Sequence, residues 1–176
     1  MSSKNYLVLT AVGPDRPGLV NEISTVVLAA GANLEDSRMA ILGGEFALLM
    51  LVSGEQKAID AVESGSGDLG ARLGLRLMTK PTTPRQASLD FLPYQIRVTG
   101  VDRPGIVQRV ASVLAGRNVN VASLESRLAY APESGTPMFI LEAALQIPSA
   151  LALADLRREL STSCEEENWD YTLEGG

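Results

Sequence analysis

GPDRPG at residues 13–18 is answered by GVDRPG at residues 100–105. Asp15 to Asp102 is a step of 102 − 15 = 87 residues, and Gly18 to Gly105 and Asn33 to Asn120 repeat it. A second echo, DSRM at 36–39 against ESRL at 125–128, sits at 125 − 36 = 89. An insertion of two residues between the echoes would keep strand parity, with the same side chains on the same face of a sheet. Self-similarity at a fixed step marks a repeated structural unit. The chain therefore reads as two copies, residues 1–79 and 94–176, joined by 80–93. The joining stretch, KPTTPRQASLDFLP, has three prolines and no hydrophobic period, the composition of a semi-extended linker.

On either side of the phrase the hydrophobic period changes from two to 3.6. YLVLTAV (6–12) and YQIRVTG (94–100) lead in as strands. In the second, Tyr94, Ile96 and Val98 alternate with Gln95, Arg97 and Thr99, which predicts one wet face. After the phrase, Leu19, Val20, Ile23, Val26, Val27 and Ala30 keep helical spacing. So do Ile106, Val107, Val110, Val113 and Leu114. Gly31 suits the left-handed residue that closes a helix. A strand then starts at Asn33 or Asn120, followed by an apolar strand (FALLMLV, 46–52; MFILEAALQI, 138–147). A second helix (EQKAIDAVES; SALALADLRREL) and a last strand (LRLMT; WDYTL) complete each half. The order is β-α-β-β-α-β, ferredoxin-like and α+β, written twice. FALLMLV is apolar at both parities, so cover is expected on both its faces. The glycines of SGSGDLG (64–70) are expected to break or loosen the second helix of the first half.

Composition narrows function by exclusion. The 176 residues are 45% hydrophobic and 20% charged, a core-forming balance. Net charge is −6 and the fifteen Lys and Arg are scattered, which argues against direct nucleic-acid binding. There is no histidine, so the commonest general base and metal ligand are missing, and one cysteine, Cys164, closes no disulfide or zinc cluster. No catalytic constellation stands out, so the expectation is a protein that is not an enzyme and uses no cofactor or metal. No apolar run approaches the ~20 residues of a membrane helix, and the N-terminus lacks a secretory apolar segment. These point to a reducing cytoplasm and no membrane contact. Cys164 reads as inert, EEE at 165–167 as solvated surface, and Arg16, Arg103, Ser37, Arg38, Ser126 and Arg127 as outward-facing.

The phrase itself carries two readings. As folding chemistry, Gly13 or Gly100 ends a strand, Asp15 or Asp102 caps the helix start, and Pro17 or Pro104 takes the first helical position. As a binding device, the same free N–H groups attract a carboxylate. The Asp accepts from an ammonium, and Gly18 or Gly105 leaves room for a small zwitterion beside Leu19 or Ile106. The third glycine of a dinucleotide loop and the GK[ST] of a phosphate loop are missing. Asn33 and Asn120 likewise read either as turn residues after a helix or as ligand contacts.

DRPG between a strand and an amphipathic helix, with an Asn eighteen residues beyond the Asp at the next strand, occurs in both halves. It resembles the ACT domain, a small-molecule-binding module of amino-acid metabolism. Two such domains over nearly the whole chain resemble the glycine cleavage system transcriptional repressor family. The resemblance implies an amino acid, with glycine or serine as the first choices, held at a domain–domain interface. The contacts it implies are the loop (Asp15, Gly18, Leu19; Asp102, Gly105, Ile106) and the Asn (Asn33; Asn120). It also implies a protein partner, either a DNA-binding activator or a metabolic enzyme, and a homo-oligomer. Some serine-binding members carry a His two residues before the Asp; here those places are Gly13 and Gly100. A helix of about 13 residues is roughly 20 Å long, too far for one amino acid to touch both the Asp and the Asn of one half. Two domains packed side by side, with antiparallel helices, would pair Asp15 with Asn120 and Asp102 with Asn33. The alternatives are a detached regulatory subunit of a biosynthetic enzyme and a structural dimerisation unit with empty sites.

Overall fold

A computed structural model describes residues 4–83 and 90–176. The chain divides into two compact units, Met1–Gln86 and Ala87–Gly176. The first runs β1 (Asn5–Pro14), α1 (Leu19–Ala29), β2 (Asn33–Leu42), β3 (Glu45–Gly54), α2 (Gln56–Leu73) and β4 (Arg76–Thr82). The second runs β5 (Phe91–Val101), α3 (Ile106–Gly116), β6 (Asn120–Tyr130), β7 (Pro137–Pro148), α4 (Leu153–Glu165) and β8 (Asp170–Gly175). The sheets are antiparallel, ordered β2-β3-β1-β4 and β6-β7-β5-β8. The α+β, ferredoxin-like order holds in both. The expected linker is strand at both ends, through Thr82 and from Phe91, while residues 84–89 lie outside the described residues.

Period-two burial explains each sheet. Leu7, Leu9 and Ala11 of β1 lie beside Phe46, Leu48, Met50 and Val52 of β3, all buried. Leu19, Ile23 and Val27 of α1 and Ile59, Val62, Leu69 and Leu73 of α2 complete this core. Ile96, Val98, Leu141, Ala143, Leu145 and Ile147 do the same under α3 and α4 in the second unit. Gln95 and Arg97 are exposed, as their alternation predicted.

Register corrects the reading of the second echo. Ile41 pairs with Phe46 and Leu128 with Phe139, so the steps are 128 − 41 = 87 on one strand and 139 − 46 = 93 on the next. The step of 87 persists through β2 and β6, and the six extra residues lie in the β6–β7 turn. Met39 therefore matches Ser126, not Leu128. Parity survives because six is even.

SGSGDLG is also corrected: α2 runs unbroken from Gln56 to Leu73. Val62, Leu69 and Leu73 bury one face, and tertiary packing outweighs the ~1 kcal/mol that each glycine costs a helix. Gly70 is needed there, since a Cβ would come within 2.8 Å of the Leu75 carbonyl oxygen. Gly65 and Gly67 face open space. Gly65→Ala and Gly67→Ala are each expected to raise stability by about 0.5–1 kcal/mol, whereas Gly70→Ala lowers it. Thermal denaturation of the three variants checks the contrast.

Candidate functional site

The helix start is built differently from the sequence reading. Gly18 is itself the N-cap of α1, at φ 94° and ψ −10°, and Gly105 caps α3 at φ 100° and ψ −1°. These are the angles of the third residue of a type II turn, which follows a proline naturally and demands glycine. Pro17 and Pro104 therefore sit in the turn, one residue before the cap, and not at the first helical position. No side chain caps either helix, so Asp15 and Asp102 are not capping groups. Both are exposed. Their backbones tie the loop to the neighbouring hairpin: Asp15 N–H donates to the Gly44 carbonyl at 3.1 Å, and Asp102 N–H to that of Pro137 at 3.0 Å. The first helical hydrogen bonds are Glu22 N–H to the Gly18 carbonyl and Arg109 N–H to that of Gly105, each 2.9 Å. The N–H groups of the first turn precede these bonds and are left to solvent or a ligand.

In the first domain the loop opens onto a cavity of about 680 Å³. Asp15, Gly18, Leu19, Asn21 and Ser24 line one side, and Met39, Ile41 and Phe46 the other. Leu19 is only 2% exposed and Ile106 only 3%, so what these two offer a ligand is backbone N–H. Arg16 turns back instead of pointing freely outward, donating to Glu22 Oε1 at 2.6 Å. That ion pair holds the Glu22 carboxyl below its ordinary value. In the second domain Arg109 takes the place of Glu22 and pairs with Glu166 at 2.9 Å and Glu167 at 3.1 Å, on an EEE segment whose Glu165 and Glu166 are exposed as expected. Met39, Ile41 and Phe46 escaped the sequence reading. Their signal is register: Met39 and Ile41 lie opposite Leu48 and Phe46, on the helix side of an edge strand, yet remain 52% and 53% exposed.

Asn33 and Asn120 open β2 and β6, at the far end of their sheets. Pro14, next to Asp15, pairs with Glu45, whereas Asn33 pairs with Ser53. Eight residues of β3 separate those levels, about 26 Å of strand. The second domain repeats this, with Val101 opposite Met138 and Asn120 opposite Gln146. No domain brings its own Asp and Asn together.

The two asparagines have different neighbours. Asn120 Nδ2 donates to Gln146 Oε1 at 2.7 Å. Asn33 Nδ2 donates to Glu35 Oε1 at 3.4 Å, and the buried Ser53 hydroxyl donates to the same oxygen at 2.5 Å. Lys4 closes the cluster by an ion pair with Glu35. Lys4, then Ser53 and Asn33, hold the Glu35 carboxyl down at about 2. The contribution of this carboxylate to stability is complete above its unfolded value and lost as pH falls towards 2. An NMR titration is expected to give Glu35 a midpoint near 2, and Ser53→Ala is expected to raise it. An ordinary carboxylate midpoint in the wild type would refute the cluster.

Among the described residues no group of His, Cys, Asp or Glu could hold a metal ion, and no helix is long and apolar enough to cross a membrane. Cys164 is buried, and burial raises its thiol pKa.

Comparison with known proteins identifies the family of the fold. ACT-domain family models match residues 5–80 and 94–160. The chain is 34% identical over 168 residues to the glycine cleavage system transcriptional repressor of Escherichia coli strain K12, covering 96% of this chain and 88% of that protein. A crystal structure of an unknown protein from Galdieria sulphuraria superposes with a TM-score of 0.81 at 32% identity, covering 99% of both chains. That of a candidate glycine cleavage system transcriptional repressor gives 0.73 at 32% identity, covering 98% of this chain and 97% of the other.

Proposed function

Because the chain belongs to the ACT-domain family, with two such domains in tandem, we propose that it is an amino-acid-responsive regulator and not an enzyme. Its ligand is a small amino acid, glycine or serine first. It binds where the DRPG loop of one ACT domain meets the early-strand Asn of another. The observation that carries this reading is the uncapped helix start. Gly18 and Gly105 leave the first-turn N–H groups to a carboxylate, with Asp15 and Asp102 beside them to accept from an ammonium. Since each domain holds its own Asn about 26 Å away, a second domain must supply it. The ligand signal passes to a protein partner. A net charge of −6 suits that better than direct operator binding, and the E. coli relative is named as a transcriptional repressor.

The test is the melting midpoint against a panel of free amino acids. A ligand at ~100 times its Kd stabilises by about 2.7 kcal/mol, a rise of about 5–11 °C at roughly 2–4 °C per kcal/mol. A flat response to every amino acid would overturn the reading.

A further inference from the structure

The helix-free faces of the two sheets are opposite in character. On the first, Val12, Leu49 and Met78 are 50%, 49% and 63% exposed, around the half-buried Val8 and Leu51. On the second, the position of Leu49 is taken by Glu142 (142 − 49 = 93, the step already found for this strand pair). Glu142 accepts from Arg97 at 2.9 Å and Arg127 at 3.0 Å. The centre of the second open face holds an ion-paired cluster, where the centre of the first holds exposed apolar side chains with its charges on the two outer strands. We propose that the open face of the first sheet docks on the same face of a second copy of this chain, sheet on sheet, about a two-fold axis parallel to the strands.

Register selects this occupant. Lys80, Val8, Leu51 and Asp36 form one row across the sheet, and Met78, Thr10, Leu49 and Arg38 the next. A two-fold axis along the strands keeps each row level and reverses its order, so β4 of one copy lies over β2 of the other. Lys80 then faces Asp36, which Arg38 of its own strand also contacts at 2.5 Å. The protruding Met78 faces the β2–β3 side, where Val8, Asp36, Arg38, Leu49 and Leu51 line a depression of about 210 Å³. Charge meets opposite charge and a knob meets a hole, twice by symmetry. The face is about 19 Å by 26 Å from strand spacing and rise. Two copies together bury about 1,000 Å², the lower bound of a specific interface, and aligned sheets pack this way at about 10 Å. An occupant patterned like the second sheet would instead set the cluster of Arg97, Glu142 and Arg127 against the apolar Leu49 and Val12 with no opposite charge facing it, whereas in the two-copy arrangement the Asp36–Arg38 pair keeps Lys80 across from it.

Sedimentation velocity of the full chain across a concentration series tests this. The wild type is expected to pass from monomer to dimer, and Leu49→Glu to raise the dissociation constant at least ~100-fold with an unchanged circular dichroism spectrum. Should that variant misfold, charge exchange decides: Lys80→Asp and Asp36→Lys each weaken the dimer about tenfold, and the double exchange restores it. A wild-type monomer at all concentrations overturns the proposal. So does a dimer indifferent to Leu49→Glu, or a double exchange that fails to restore. The amino-acid melting response is a separate readout, so a face that fails leaves the ligand reading standing, and the reverse also holds.

Discussion

Replacing Gly100 by alanine is expected to cost the second domain about 3 kcal/mol, the upper end of the usual overpacking range. Gly100 lies on β5, on the helix side of the sheet, and a Cβ there would come within 2.2 Å of Trp169 Cδ1, 3.0 Å of Cγ and 3.2 Å of Nε1. The indole cannot swing away like the tip of a flexible chain. The side chain is 7% exposed and packed in the core, and the backbone beneath it is fixed, the Trp169 main-chain N–H donating to the Cys164 carbonyl at 2.9 Å. If the domain melts as its own unit, the midpoint falls by more than about 10 °C. Trp169 is the sole tryptophan, so its fluorescence reports this domain alone. Trp169→Leu makes room, so Gly100→Ala should cost about 1–2 kcal/mol less in that tryptophan-free background, followed by circular dichroism, a non-additivity characteristic of residues in contact. A Gly100→Ala protein that melts like the wild type would refute the packing.

The first domain uses the same device with a smaller partner. A Cβ on Gly13 would meet Leu75 Cδ2 at 2.8 Å and the Gly74 carbonyl oxygen at 2.9 Å. These two glycines stand where some serine-binding ACT domains are expected to carry a histidine, and here the residue before the last strand of each domain fills that space. Any ligand of this chain must be held without an imidazole at that point. On the proposed reading, the uncapped N–H groups of the helix donate and Asp15 and Asp102 accept, an arrangement suited to the smallest zwitterions.

What the sequence made legible follows from how local each feature is. The order of elements could be read because alternation in YQIRVTG and helical spacing after each phrase are local patterns set by one buried face. Gly31 as a helix terminator could be read for the same reason, and at φ 79° it takes the left-handed conformation. The capping role given to Asp15 and Asp102 failed because a Pro-Gly turn caps with backbone alone, and the same letters serve either arrangement. The break expected at SGSGDLG failed because propensity is small beside a buried helix face. The 89-residue echo failed because four letters resembled each other while hydrogen-bond register, a non-local property, placed the insertion in a turn. The cavity wall of Met39, Ile41 and Phe46 could not be found before register was known.

Removing both carboxylates, Asp15→Ala with Asp102→Ala, is expected to leave the unliganded midpoint within about 2 °C of the wild type. Neither side chain caps its helix, and exposed substitutions of this kind shift stability by about 0.5 kcal/mol or less. The ligand-dependent rise should vanish, since losing the acceptor for a desolvated ammonium costs about 3 kcal/mol, roughly 100-fold in affinity. Loss of folding in the double variant would return the Asp pair to a structural role. The single variants go further. If each site joins the loop of one domain to the Asn of another, Asp15→Ala and Asn120→Ala abolish the same site, and Asp102→Ala and Asn33→Ala the other. Titration calorimetry should then show Asp15→Ala with Asn120→Ala retaining one site, and Asp15→Ala with Asn33→Ala retaining none. The opposite outcome would require Asp15 and Asn33 to act together within one domain, across about 26 Å of strand that no glycine or serine can span.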